Sequence, residues 1–591
     1  MEPWRKRLLI PLICSFTALV AYLPALYADF AWEDFAGQSM NSAAFRTFGD
    51  AFRPPAALLE YNAAYYRPFS ALVHMAERNA NDAIFGAPRL NSSDATDPAR
   101  ARLPHAVLLL LHVTIAGLVA FLARCCLRGS PAAATGALVA GLSFALHPVH
   151  AENVMYISAS SDSFSTLFLL GALLLSLRAR ERRSSAALIL AGVFYFAALL
   201  CKELAIIGLV LLPLCFWMLP LDKERAEHRL FPSWVYFSTF GAGTAWYVFL
   251  RIWNTGTLAS FHPPPDIRET ATALIKAFSF YVAKILFPWP AAPYVQDLPG
   301  LAQSFVPNTA AVLLFSAAVY GFSRGKRLPL FCVIFFVAAL APSLSVAIAG
   351  SSSTLLAERY LYLPGVAFAL ALGGSAAILR ATGRGTLLYG LGCPLVLLYL
   401  AGSLHAAQIW KSDIALWSYV TKQEEPSRHT IPWVNLAAAQ LDLGLDAEAE
   451  QNFRRALSQK PNGLNESLEL GWNGLGSVYF GRGQTALSGA RWEKAMRLME
   501  EAATYFSQAV ALSPNDWWYR KNAALAKMER AIALRNQTGR ADRSLFQSAC
   551  GEFRLALALS NGNKEVDAYL IRCEELSTLA ASENPTDGTQ R

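Results

Sequence analysis

Predominantly apolar runs of about 20 residues recur through roughly the first 400 positions, each long enough to cross a bilayer. This recurrence constrains the chain more than any other feature, because lipid admits only backbones whose hydrogen bonds close internally. Apolar residues make up 54% of the sequence and charged residues 16%, which departs from an ordinary soluble domain. Past Trp410 the composition turns charged, alanine-rich and helical. The fold class expected is all-α: a polytopic membrane domain over 1–409, a helical domain over 410–580 and a disordered polar tail over 581–591.

About 11 spans are predicted. They lie near Leu8–Tyr27, Pro104–Ala123, Ala132–Leu146, Phe164–Leu177, Ala186–Leu200, Leu204–Leu219, Pro232–Leu250, Ala310–Phe322, Leu330–Ile348, Leu361–Leu379 and Thr386–Leu404. Thr270–Phe287 carries Lys276 and Lys284, and span parity makes it a helix lying in the interface or re-entering the membrane. Basic clusters at Arg178–Arg183, Lys223–Arg225 and Arg324–Arg327 fall between apolar runs and mark cytoplasmic loops. No basic face is interleaved with aromatics, so the net charge of +8 does not point to nucleic acid.

The basic leader Met1–Arg7 and the first apolar run read as an uncleaved signal-anchor with a cytoplasmic N-terminus. The loop over 27–103 is then extracytoplasmic, with Ala71–Phe85 suited to a helix at the interface. The C-terminal domain is also expected outside. Most of the nine cysteines sit in apolar runs and none has metal-ligand spacing; Cys550 and Cys573 lie in the C-terminal domain, where an oxidising compartment would allow pairing.

A helical repeat begins after Trp410. Trp433, Leu436, Ala437, Gly444, Ala449, Phe453, Ala456 and Pro461 fall at tetratricopeptide-repeat offsets, with Gln440 where tyrosine is usual. A second copy has Trp472, Leu475, Gly476, Tyr479, Ala502, Phe506, Ala509 and Pro514, with about 14 extra residues around Gly481–Arg497 between its helices. A third keeps Ala549, Phe553 and Ala556, has Asn561 in place of proline, and is capped by a helix near Glu565–Leu579.

Ionic motifs stand at the ends of the spans. Glu33-Asp34 could act as a general base on a hydroxyl, or be a solvated acidic turn. His147-Pro-Val-His150-Ala-Glu152 with Asp162 could meet a phosphate, a sugar or a divalent metal, or cap the third span. Pro148 breaks the helical register that would aim all three side chains at one ion, so metal is not favoured and no cofactor is assigned. Lys202-Glu203 are adjacent and do not face each other on a helix, so each needs another partner; Lys202 could meet a phosphate or snorkel. Glu358-Arg359 with Tyr362 opens the tenth span, where Arg359 could grip a phosphate or join a structural network. Tyr65-Tyr66-Arg67-Pro68 adds another guanidinium. The predicted topology brings all of these to one membrane face.

Tyr66-Arg67-Pro68, the His147–Asp162 block, Lys202-Glu203 and Ala357-Glu358-Arg359 with Tyr362-Leu363-Pro364 occur in the order found in one group. Together with the repeats, the chain resembles the transmembrane and tetratricopeptide-repeat O-mannosyltransferases and their bacterial relatives, within the GT-C glycosyltransferases. Three positions depart from that pattern: Glu33 for the first of two aspartates, Ser160 for an arginine, and Leu108 for an asparagine between His105 and His112. The resemblance implies a polyprenyl-phosphate-linked sugar as donor and inverting transfer to a hydroxyl of a protein or glycan outside the membrane. Asp34 or Glu33 would be the base, with Asp34 the aspartate retained. Arg67, His147, His150, Glu152, Asp162, Lys202, Glu203, Glu358, Arg359 and Tyr362 would hold the donor. Membrane lipid and a polypeptide or glycan on the repeats are the implied partners.

Two other functions fit parts of the sequence. A lipid-linked glycan ligase or polymerase usually has its large outer loop late in the membrane domain, whereas here it is the first. A membrane-anchored repeat scaffold explains the C-terminal domain but not the ionic motifs. Asn91, Asn465 and Asn536 head glycosylation sequons that matter in an endoplasmic reticulum, whereas the short loops and degenerate repeats lean towards a bacterial inner membrane.

Overall fold

The computed structural model describes residues 4–34, 47–54, 66–87, 97–219, 231–256, 266–349, 354–423, 428–459, 467–560 and 562–583. Among them every regular element is a helix, and one isolated β-bridge joins Val295 to Leu356. Backbone contacts divide it into two units, Met1–Leu416 and Trp417–Arg591.

The first unit holds α1 (Trp4–Tyr22), α2 (Pro68–Phe85), α3 (Arg102–Cys126), α4 (Ala133–Leu146), α5 (Ser160–Arg182), α6 (Ser185–Cys201) and α7 (Gly208–Met218). It continues with α8 (Ser233–Thr255), α9 (Ile267–Leu286), α10 (Leu301–Ser323), α11 (Leu328–Ala349), α12 (Tyr362–Ala381) and α13 (Gly385–Ile409). Among the described residues, seven segments are long and apolar enough to span a bilayer: Leu8–Tyr27, Pro98–Cys126, Ile157–Arg182, Leu301–Ser323, Leu328–Ile348, Glu358–Ala381 and Gly385–Ile409. The chain is therefore a membrane protein.

Three further predicted spans form shorter apolar helices, Ala133–Leu146, Ser185–Cys201 and Glu203–Met218, and the seventh forms α8. The Thr270–Phe287 segment forms α9, whose inner face buries Tyr281 and Lys284 while Ile267 and Ile275 are exposed. Only 6% of the apolar window of α10 is buried within the protein, and Phe305, Leu313 and Phe315 point outward. Such a surface is stable against lipid and not against water.

Helices α4 and α12 cross where two glycines meet. A Cβ on Gly373 would lie 2.4 Å from the Gly136 carbonyl oxygen, and one on Gly136 would lie 2.7 Å from that of Gly373. Small residues let backbones approach this closely where lipid supplies no hydrophobic drive between helices. The crossing places the end of α4 beside the start of α12, the two places where the His147 and Glu358-Arg359 motifs begin.

The second unit is a stack of antiparallel hairpins. Its helices are α14 (Thr430–Asp442), α15 (Asp446–Ser458), α16 (Leu468–Ser488), α17 (Trp492–Leu512), α18 (Trp517–Thr538), α19 (Arg543–Leu559) and α20 (Lys564–Glu583), each packed on the next. The repeat positions Trp433, Leu436, Ala437, Phe453, Leu475, Phe506, Ala549 and Phe553 are buried in the seams. Gly474 and Gly476 admit the rings of Phe453 and Phe506, which a Cβ would displace.

The extra residues of the second repeat do not form a separate insert. They lengthen α16 and α17 to 21 residues each, so the hairpin turns near Gly489-Ala490. Helix α18 supplies the first helix of the third repeat, which its sequence did not signal. Cys550 on α19 and Cys573 on the capping α20 are disulfide-bonded, with Cα atoms 5.7 Å apart. Pro461, Asn561 and the tail beyond Glu583 lie outside the described residues.

Candidate functional site

The site begins where Pro148 stops α4. Between Leu146 and Ser160 the chain makes three short helical turns, Pro148–His150, Ala151–Met155 and Ile157–Ala159, before α5. Proline at the first helical position needs no partner for its nitrogen and cannot extend the preceding helix. This compact stretch presents Glu152, Tyr156 and the Ser158 N–H on one side.

The acidic pair docks there. Asp34 is fully buried, its Oδ1 accepting the Ser158 N–H at 2.7 Å and its Oδ2 the Ala31 N–H at 3.2 Å. Burial pushes its carboxyl up to about 7, more than these hydrogen bonds bring it down. Glu33 is exposed, and its Oε2 accepts the Tyr156 hydroxyl at 3.4 Å. His105, buried on α3, holds the same segment by donating Nε2–H to the Asp29 carbonyl at 3.2 Å.

Beyond Tyr156 lies a chain of ion pairs. Glu152 accepts the Arg359 guanidinium at 2.6 Å on one oxygen and the Arg359 backbone N–H at 2.8 Å on the other. Burial raises the Glu152 carboxyl, and Arg359 works against that rise. The Arg359 guanidinium lies 5.8 Å from the Tyr156 ring centre and 5.1 Å from that of Tyr360. Lys202 reaches the same Tyr360 ring at 5.1 Å and donates to Asp162 at 2.5 Å. Arg67, at the start of α2, grips Glu203 with a two-bond fork of 3.0 and 2.7 Å. Tyr156 and Tyr360 therefore link Glu33, Arg359 and Lys202 into one cluster, and the adjacent Glu203 brings in Arg67.

Other motif residues face elsewhere. Glu358 turns away from Arg359, accepting Lys284 at 3.2 Å and the Ala292 N–H at 3.0 Å. His147 donates Nε2–H to the Ile285 carbonyl at 3.1 Å, and His150 donates Nδ1–H to that of Phe144 at 2.8 Å. The remaining nitrogen of His150 abuts Gly365, where a Cβ would lie at 2.4 Å. Tyr362 meets Nδ1 of His112 at 2.9 Å, in the same buried packing of His150, Phe144 and Tyr362. These histidines and Tyr362 form a core behind the ionic cluster and hold carbonyls and one another.

Ser160, at the position where the resemblance expects arginine, is 3.4 Å from Nε2 of His74. Leu108 packs in the core with Ala101, Leu111 and Ile157. Among the described residues, no three His, Cys, Asp or Glu side chains converge as a metal site would require. Sequence reasoning missed Tyr156, Tyr360, Lys284 and His74. Tyr360 lies inside the Glu358–Tyr362 motif and could have been singled out as a ring between two cations.

An apolar cavity of about 1400 Å³ opens along α9, α10, α11 and α12. Phe278, Phe315, Phe336 and Phe368 line it, Lys326 and Arg327 stand at one end, and Ile285, the residue that accepts from His147, is also part of its wall.

The fold and cluster define a class: an all-helical membrane protein with an ionic cluster at its helix ends and C-terminal helical repeats. No family model matches the chain. It is 37% identical over 123 residues to the protein O-mannosyl-transferase Tmtc1 of Drosophila melanogaster, a stretch that covers 21% of this chain and 14% of that protein. It is 26% identical over 100 residues to the photosystem I assembly protein Ycf3 of Cyanophora paradoxa, covering 17% of this chain and 55% of that protein. The matches therefore span less than two thirds of either relative.

Proposed function

We propose that this protein is a GT-C-type membrane glycosyltransferase that moves a sugar from a polyprenyl-phosphate donor to a hydroxyl of a protein or glycan outside the membrane. One observation carries the reading: an exposed carboxylate, Glu33, shares a single cluster with Arg67, Lys202 and Arg359, the groups that would bind a phosphate. Similarity to a protein O-mannosyl-transferase over part of the chain supports it.

In the proposed step the acceptor oxygen attacks the anomeric carbon from the face opposite the phosphate. The C–O bond to the acceptor forms as the C–O bond to phosphate breaks, and polyprenyl phosphate leaves with the bonding electrons. Glu33 takes the acceptor proton. Its exposure favours it over Asp34, whose two oxygens already hold backbone N–H groups. Asp34 then anchors the turn. The phosphate's charge is met by Arg67, Lys202 and Arg359, which exchange part of their carboxylate pairing for it. Glu152, Asp162 and Glu203 orient those cations; His147, His150, Tyr362 and Glu358 support them from behind. No cofactor is assigned to the step, and the apolar cavity suits the polyprenyl chain.

The topology proposed is cytoplasmic N-terminus and extracytoplasmic repeats, in a bacterial inner membrane. The Cys550–Cys573 pair supports an oxidising surrounding for the repeats, which would receive a polypeptide or glycan acceptor. The test is incubation of the purified full chain with labelled polyprenyl-phosphate mannose, glucose or arabinose. Transfer or hydrolysis is expected with one donor. Failure to bind any of them would favour a repeat scaffold, the reading to which partial similarity to an assembly protein also lends weight.

A further inference from the structure

The turn that carries Glu33 is gripped by a stretch that the transfer chemistry does not use. Trp32, just before Glu33, has φ of 56°. This left-handed conformation is strained for a bulky L residue and persists only where its surroundings over-determine it. Residues 410–413, directly after α13, supply much of that determination. The Lys411 carbonyl accepts the Asp29 N–H at 2.9 Å. The Asp413 carboxylate accepts the Trp32 N–H at 2.5 Å. The buried Trp410 ring stacks on Trp32, with centres 6.4 Å apart, and on Tyr156, at 5.1 Å. Trp32 and Tyr156 also stack on each other at 5.7 Å.

Both ends of the Glu33 geometry therefore lean on one short segment. Its carboxylate sits one residue beyond the backbone that Asp413 holds, and its hydroxyl donor, Tyr156, is the ring that Trp410 covers. From this geometry we propose that Asp413, with Trp410, is a positioning residue that fixes the Trp32 backbone and so aims Glu33 at the acceptor. Neither side chain touches the reacting atoms. The inference rests on the transferase reading, and it adds that the site is completed by chain lying after the last apolar helix.

The test uses the full chain in nanodiscs, comparing wild type with Asp413→Ala and Asp413→Asn. Asparagine keeps a side-chain oxygen for the Trp32 N–H; alanine does not. Two quantities are read: amide hydrogen exchange over residues 28–34, with α5 as the folding control, and steady-state transfer from the labelled donor that wild type uses. Asp413→Ala should exchange about ten-fold faster over 28–34 with α5 unchanged. Its kcat should fall by about ten- to a hundred-fold at near-constant donor KM, as for a misplaced catalytic group. Asp413→Asn should recover most of both. Unchanged exchange in Asp413→Ala would overturn the proposal, and so would faster exchange with kcat intact. A wild type with a protected turn but no transfer from any donor would instead overturn the transferase reading, and with it the catalytic half of this proposal, while the exchange comparison would still report whether Asp413 anchors the turn.

Discussion

Glu152 holds Arg359 twice, by the guanidinium at 2.6 Å and by the backbone N–H at 2.8 Å, so one buried carboxylate fixes both the charge and the place of that arginine. Removing one partner of a buried pair strands the other, at a cost of about 3–5 kcal/mol. Glu152→Gln should therefore lower the melting temperature strongly and abolish transfer. The double variant Glu152→Gln/Arg359→Gln should be less destabilised than the sum of the single variants. Additive effects in this cycle would contradict the pairing.

The raised carboxyl of Asp34 gives a pH signature. Its folded value of about 7 lies above the usual 3.8, so between about pH 4 and 7 the folded state binds a proton that the unfolded state has lost. Stability from this group is thus present on the acid side and falls as pH rises through that window. Melting curves of wild type minus Asp34→Asn should decline from pH 5 to pH 8. A flat difference would show that the carboxyl titrates normally.

Two glycine-to-alanine changes should have opposite outcomes. Gly373→Ala drives a methyl into the Gly136 carbonyl at the α4–α12 crossing and should cost about 1–3 kcal/mol, as overpacking does. Gly390→Ala, on α13, meets nothing within 4 Å and should be neutral or stabilising. Thermal melts in one detergent distinguish them.

The disulfide between α19 and α20 closes a 23-residue separation, for which loop entropy gives about 3 kcal/mol. Reduction, or Cys550→Ser, should speed amide exchange in α20 and leave α14 and α15 unaffected. Equal exchange in both states would remove the disulfide from the stability of the cap.

The helices were legible because run length and hydropathy are local properties, and so were the buried seams of the first two repeats. The partners of the charged residues were not. Lys202 pairs with Asp162, Arg67 with Glu203 and Arg359 with Glu152, separations of 40, 136 and 207 residues that no local pattern encodes. The sequence offers a structural network as one reading of Glu358-Arg359 without naming its members; the 3-10 turn at Glu358–Leu361 sends Glu358 to Lys284 and Arg359 to Glu152. Nor could spacing tell that His147 and His150 point into the core, since that depends on Gly365 and the crossing of α4 with α12. Nor does the sequence show the burial that separates the two carboxylates: the resemblance implies Asp34 as the retained aspartate, and in the fold Asp34 is enclosed by the turn at Ser158 while Glu33 is exposed.

The most direct test is the turnover of labelled polyprenyl-phosphate sugar by wild type, Glu33→Gln and Asp413→Asn, with folding of each checked by melting. Loss of a general base costs about 10²–10⁴ in kcat. Glu33→Gln should lose that much while melting like wild type and binding donor normally, and Asp413→Asn should stay close to wild type. Turnover of Glu33→Gln equal to wild type would contradict the account.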